Sequence, residues 1–153
     1  MKRLWILRNL KKLGADENLL LDVYIKQIRC LLEMSCVVWN AGLIHKDIKR
    51  IEKVQKIALK IIRGQSYPYI ESLEYFNILT LKERRKNLCV KFIKKAYLNE
   101  KYSWWFTKND KPDTRSVKSP LVNINTRTQR YRKSPLPYLT ELLNGYLMEQ
   151  EHK

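Results

Sequence analysis

The segment Lys46–Gly64 constrains this chain more than any other, because it fits one secondary structure and gives it two unlike faces. Lys46, Lys49, Lys53, Lys56, Lys60 and Arg63 recur at three- and four-residue steps, the spacing that brings side chains to one side of a helix. Ile44, Ile48, Ile51, Gln55, Ala58, Leu59 and Ile62 fall on the other side. One face is ready to pack and the other is a basic ridge. The ridge face carries only Asp47, near its N-terminal end, so most of it cannot neutralise itself.

The flanking segments also read as helices. Residues 2–13 form one that stops at Gly14, a residue suited to the left-handed turn after a helix. It opens at Met1 with no cap, as an element does when its beginning has been lost. Asp16 is placed to cap a helix over residues 17–39. Leu21, Tyr24, Ile25, Ile28, Leu31, Leu32, Ser35, Val38 and Trp39 share its apolar face, and Asp22–Lys26 and Arg29–Glu33 are spaced for ion pairs on the other. After a Tyr- and Pro-containing connection, a short helix is expected over residues 69–76. Thr80-Leu81-Lys82-Glu83 is a capping box that opens a helix to about Asn99. Leu81, Leu88, Cys89, Phe92, Ile93 and Ala96 supply its packing face, with Arg84, Lys91, Lys94 and Lys95 on another flank.

No strand-like alternation appears. The expected fold is all-α, a small bundle of four or five helices over residues 1–100 held by their wide apolar faces. Residues 101–134 hold nine Lys/Arg against two acids and read as a poorly structured basic extension. Tyr102, Trp104, Trp105 and Phe106 open it, and Arg127, Arg130, Arg132 and Lys133 close it around Tyr131. Trp104 and Trp105 are expected to anchor this extension on the core, with stacking on unpaired bases as the alternative. Residues 135–153 read as a short helix from Pro137 to Leu143, with Pro at its first position, and a frayed end.

Charge narrows the partners. The 153 residues carry 31 Lys+Arg against 15 Asp+Glu, a formal +16, far more than solubility requires. Such a field favours polyanions, nucleic acid ahead of an anionic membrane surface. The expected nucleic-acid-binding residues are Lys46, Lys49, Lys53, Lys56, Lys60 and Arg63, joined by Arg127, Arg130, Arg132 and Lys133. The apolar stretch of residues 19–39 is broken by Asp22, Lys26, Arg29 and Glu33, which argues against a signal peptide or a spanning helix there. An intracellular protein is expected, in nucleus or cytoplasm.

Catalytic patterns are missing. The aspartates Asp16, Asp22, Asp47, Asp110 and Asp113 are dispersed, whereas two-metal chemistry needs carboxylates converging on cations about 3.5–4 Å apart. Gly14, Gly42, Gly64 and Gly145 cannot form a phosphate loop. Cys30 and Cys36 are six apart, too far for a zinc knuckle, and with Cys89 they read as reduced thiols, Cys30 the most exposed. His45 reads as a cap-region or phosphate-contacting side chain. No catalytic residue, metal or cofactor is expected.

Four blocks together resemble a known family. Ile28-Arg29-Cys30-Leu31-Leu32-Glu33, inside the leucine-rich run from Leu20 to Val38-Trp39, is similar to the region after the palm in reverse transcriptases of non-LTR retrotransposons, jockey-like elements among them. Ile51-Glu52-Lys53-Val54-Gln55-Lys56-Ile57-Ala58-Leu59-Lys60-Ile61-Ile62 resembles the block that follows it there. Leu79-Thr80-Leu81-Lys82-Glu83-Arg84-Arg85 resembles the next, and Thr126–Tyr131 with Ser134–Leu139 resembles the extreme C-terminus. The resemblance covers nearly the whole chain and implies the helical thumb and tail of an RNA-directed DNA polymerase. It implies a grip on template–primer, either RNA–DNA hybrid or DNA duplex, for a catalytic palm that this chain lacks and that is a candidate partner. A helical protein–protein interaction module, peripheral membrane association through the ridge and Trp104-Trp105-Phe106, and a non-functional retroelement-derived reading frame are the alternatives.

Overall fold

In the computed structural model, which describes residues 3–109 and 119–151, the apolar stripe of the Lys46–Gly64 segment lies against three other helices. Among the described residues there are nine helices, 72% of those residues are helical, and no strand forms. They are α1 (Leu4–Lys12), α2 (Glu17–Val23, continuing through π-helical turns Tyr24–Arg29 to Cys30–Glu33), α3 (Cys36–Trp39), α4 (His45–Arg63), α5 (Tyr69–Tyr75), α6 (Leu81–Tyr97), α7 (Glu100–Ser103), α8 (Gln129–Arg132) and α9 (Pro135–Glu151). The all-α class is as expected. The number of helices exceeds the expected four or five, chiefly because the described residues from 100 onward hold α7, α8 and the long α9.

The chain divides into two compact units, residues 1–35 with 43–85 and residues 36–42 with 86–153. This division differs from the expected boundary near residue 100. In the first unit, Leu4, Leu7, Leu20, Tyr24, Ile28, Ala58, Leu59 and Ile62 form a buried cluster, so α1, α2 and α4 share one core. Burying a side chain of this size contributes about 1.5–3 kcal/mol. Two side chains close the edges: Lys11 donates to the Ile62 carbonyl at 2.7 Å and Arg3 to that of Gln27 at 3.2 Å. Gly14 takes φ +82° after α1, the left-handed geometry that glycine adopts without steric cost.

The expected single helix over residues 17–39 is interrupted. Its middle turns are π-helical, which widens the turn and moves later residues off the 3.6-residue stripe. Leu31 and Val38 are accordingly exposed, although periodicity assigns them to the packing face. The helix stops where Ser35 takes φ +52°, and Cys36–Gly42 belongs to the second unit. Asp16 occupies the N-cap position with extended backbone but makes no side-chain capping bond. The capping box is formed: Glu83 N donates to Thr80 Oγ1 at 3.2 Å and Thr80 N to Glu83 Oε2 at 3.3 Å.

The second unit packs Cys89, Ile93, Ala96, Phe106, Leu121, Leu139 and Leu143. Asn144, buried in α9, accepts from Leu121 N at 2.9 Å and donates to Leu121 O at 3.1 Å. One asparagine thus serves both backbone groups of an extended segment that also bridges Lys108 in antiparallel fashion. The expected short helix from Pro137 to Leu143 is the seventeen-residue α9, starting at Pro135.

Candidate nucleic-acid interface

The ridge is built by α4 and held from behind by buried polar side chains. Gln55 lies on the packing face of α4 and is fully buried. Its Oε1 accepts from the Tyr24 hydroxyl at 2.7 Å, and its Nε2 donates to the Tyr69 hydroxyl at 3.1 Å and to Leu79 O at 3.0 Å. Tyr69 in turn donates to Glu52 Oε1, which also accepts Leu81 N at 3.3 Å. Burial keeps both phenols protonated to well above the usual tyrosine range, and for Tyr69 the hydrogen bond to Glu52 adds to it. Every polar atom of the Gln55 amide is satisfied, and Glu52 Oε2 is the one atom of its carboxylate left without a partner. A buried network of this kind favours one arrangement of the helices that share it. Residues from α2, α4, α5 and the start of α6 therefore fix how α4 presents its outer face.

On that face Lys46, Lys49, Lys53, Lys56 and Lys60 are all exposed. Among the described residues none of these five lysines is in an ion pair. Asp47 faces Arg50 Nη1 at 3.6 Å instead. Lys56 holds its ammonium over the Tyr69 ring, 5.0 Å from the centroid, a cation–π contact that leaves the side chain exposed. Lys49, Lys53 and Lys56 also line a cleft of about 500 Å³ with Ile48, Glu52, Tyr69, Thr80 and Lys82. Lys82, from the first turn of α6, adds a fourth cation to its wall, one that α4 periodicity alone does not reveal.

Arg63 sits differently from the rest of the ridge. Its guanidinium stacks against the rings of Tyr67 at 4.0 Å and Tyr75 at 4.4 Å, and its Nη1 is buried without a hydrogen-bond partner. It is held as a packing element at the C-terminal end of α4. The stretch Tyr67–Tyr75 carries the signal, since two tyrosines placed just after a helix-terminal arginine can fold back on it.

Arg127, Arg130, Arg132 and Lys133 are exposed on and beside α8, in the second unit. Thr128 caps this short helix by accepting from Tyr131 N at 3.2 Å, so three of the four cations are mounted on one turn of helix and its flank. They belong to a different unit from the ridge.

Other expected side chains sort plainly. Asp22–Lys26 pairs at the surface at 2.5 Å, whereas Glu33 is largely buried and takes both Arg29, at 3.7 Å, and Arg84. Burial, with the neighbouring Arg84 second, holds the Arg29 guanidinium below its usual range. Arg84 therefore serves the first unit's packing and does not extend the ridge. Arg85 is fully buried, which sequence reading missed, although it falls on the Leu81–Cys89–Ile93 stripe at helical spacing. Cys30 is exposed, and Cys36 and Cys89 are buried, as expected. His45 is the first residue of α4 and exposed. Asp110, Asp113 and His152 lie outside the described residues. Among the described residues no three metal-capable side chains converge, and no helix is long and apolar enough to cross a membrane. Comparison of the chain with family models, with curated proteins and with solved structures finds no match.

Proposed function

We propose that this chain grips the phosphate backbone of a nucleic-acid duplex through Lys46, Lys49, Lys53, Lys56 and Lys60. The observation that carries the reading is the ridge itself: five exposed lysines along one rigid helix, with no acid among the described residues paired to any of them. From Lys46 to Lys60 the ridge runs roughly 21 Å at helical rise, long enough to follow successive phosphates along one side of a groove. Lysine ammonium groups placed this way position a duplex without reading its bases. The cleft beside Lys49, Lys53 and Lys56 gives the backbone a concave seat, with Lys82 on its far wall.

The resemblance to the thumb of non-LTR retrotransposon reverse transcriptases supports the same reading and makes the duplex a template–primer. On it, the chain supplies grip and the bond-making chemistry belongs to a palm domain. Arg127, Arg130, Arg132 and Lys133 act as a second, separate backbone contact.

The test is a titration of labelled 16-base-pair DNA duplex and RNA–DNA hybrid with the full chain and with Lys53→Gln/Lys56→Gln/Lys60→Gln. Three lost phosphate contacts weaken binding roughly hundredfold near physiological salt. Equal affinity of the two proteins, with circular dichroism unchanged, removes the ridge as the binding surface.

A further inference from the structure

The second unit carries a feature the duplex grip does not use. Along the outer side of α6 and into α7, three shallow concavities adjoin, all lined in part by Lys95. The smallest, about 270 Å³, has walls of Phe92, Ala96, Tyr102 and Trp105, with Lys95 and Asn99 at its rim. It is smaller than a pocket for a drug-sized ligand, about 300–1,000 Å³, and suits one ring system.

Its aromatic walls are unusually open. Phe92 is 41% exposed and Tyr102 42% exposed, though Phe92 lies in a helix whose other large apolar residues pack. Tyr102 and Trp105 meet at 5.0 Å between centroids and 48° between planes, forming a corner. Next to it Trp104 is 77% exposed, yet its indole is pinned by a 2.9 Å hydrogen bond from Nε1 to Lys101 O. An exposed ring fixed in place has already lost the freedom that binding otherwise removes.

The flanking concavities are basic. One is lined by Lys91, Lys94 and Lys95 with Asn87 and Val90, and the other by Lys95 and Lys101 with Leu98, Asn99 and Glu100. Lys94 is committed to the Tyr146 ring, 3.2 Å from its centroid. Lys91, Lys95 and Lys101 remain exposed to solvent and outnumber Glu100. Cations beside an aromatic slot match a chain that carries a phosphate next to each base.

We infer that the Phe92–Tyr102–Trp105 slot is a stacking site for one unpaired base of a single-stranded nucleic acid, its flanking phosphates held by Lys91, Lys95 and Lys101. Every base presents a π-face, so the site accepts single strands with little sequence preference. It lies in a different unit from the ridge, and the two surfaces are separable by mutation.

The experiment titrates the full chain, Phe92→Ala and the ridge triple variant with a labelled twelve-nucleotide oligothymidylate, a twelve-nucleotide abasic strand and the duplex. Phe92 is 41% exposed, and circular dichroism with an unchanged duplex affinity establishes that Phe92→Ala keeps the fold. Phe92→Ala is expected to bind oligothymidylate roughly tenfold more weakly, an effect typical of one lost base–aromatic stack, with duplex affinity unchanged. The wild-type chain is expected to bind the abasic strand as weakly as Phe92→Ala binds oligothymidylate. Equal affinity of the wild-type chain for the abasic strand and oligothymidylate overturns the slot. So does a Phe92→Ala loss that is the same on duplex as on single strand. A ridge triple variant that binds duplex normally overturns the grip while leaving the slot standing.

Discussion

The Tyr24 hydroxyl donates to Gln55 Oε1 at 2.7 Å, with both side chains fully buried. This bond is the first link of a donor chain that runs on through Tyr69 to Glu52 and ties the back of α4 to its neighbours. Replacing Gln55 by Leu leaves the Tyr24 hydroxyl and Leu79 O without partners in the core. A buried polar group left unsatisfied costs about 1–3 kcal/mol, so Gln55→Leu is expected to destabilise the chain by roughly 3 kcal/mol in urea unfolding. A loss under half of that would show that the network adds little to the core's stability.

The same network sets a response to alkali. Burial raises the folded-state titration of Tyr24 and Tyr69 above the usual tyrosine value of 10.0, so the folded protein retains protons that the unfolded chain gives up. Their contribution is complete below pH 10 and is lost as pH rises beyond it. Unfolding midpoints are expected to fall steadily above pH 10, and a Tyr24→Phe variant to show a shallower fall. A parallel decline in the two proteins contradicts the assignment to Tyr24.

Arg63 separates packing from binding. Because its guanidinium is stacked between Tyr67 and Tyr75, Arg63→Gln is expected to cost about 1 kcal/mol of stability. Duplex affinity should change less than twofold. A tenfold affinity loss without destabilisation would return Arg63 to the ridge.

Asn144 is expected to matter more than its neighbours on α9. Asn144→Ala leaves Leu121 N without its partner, while Leu121 O keeps the Ser119 hydroxyl at 3.0 Å, at a cost of about 1–3 kcal/mol. Hydrogen exchange at Leu121 N should quicken by more than tenfold. Unchanged exchange there would mean that the bridge to Lys108 secures the segment by itself.

How much was legible in the sequence follows from how local each cause is. The α4 periodicity, the Thr80–Glu83 box and Gly14 are decided within one or two turns, and the structure forms all three. The break at Ser35 was not legible, because π-helical turns in Tyr24–Arg29 shift the stripe and no residue nearby is a strong helix breaker. Phe92, expected on the packing face of α6, is 41% exposed, and Arg85, on the Leu81–Cys89–Ile93 stripe, is fully buried. Only the packing of the whole chain decides which part of the stripe is covered. The placement of the segment around Leu121 was hidden by composition, since a single asparagine, Asn144, holds it from 23 residues away. For the ridge, exposure was legible and the stacking of Arg63 was not.

The most direct measurement for the duplex grip is the salt dependence of duplex binding. Log affinity plotted against log salt has a slope of about −0.9 per phosphate contact. The wild-type chain is expected to show a slope of roughly −4 to −5 if all five ridge lysines engage, and Lys53→Gln/Lys56→Gln/Lys60→Gln a slope shallower by about 2.7. An unchanged slope in the triple variant would contradict the ridge as the surface that holds the duplex.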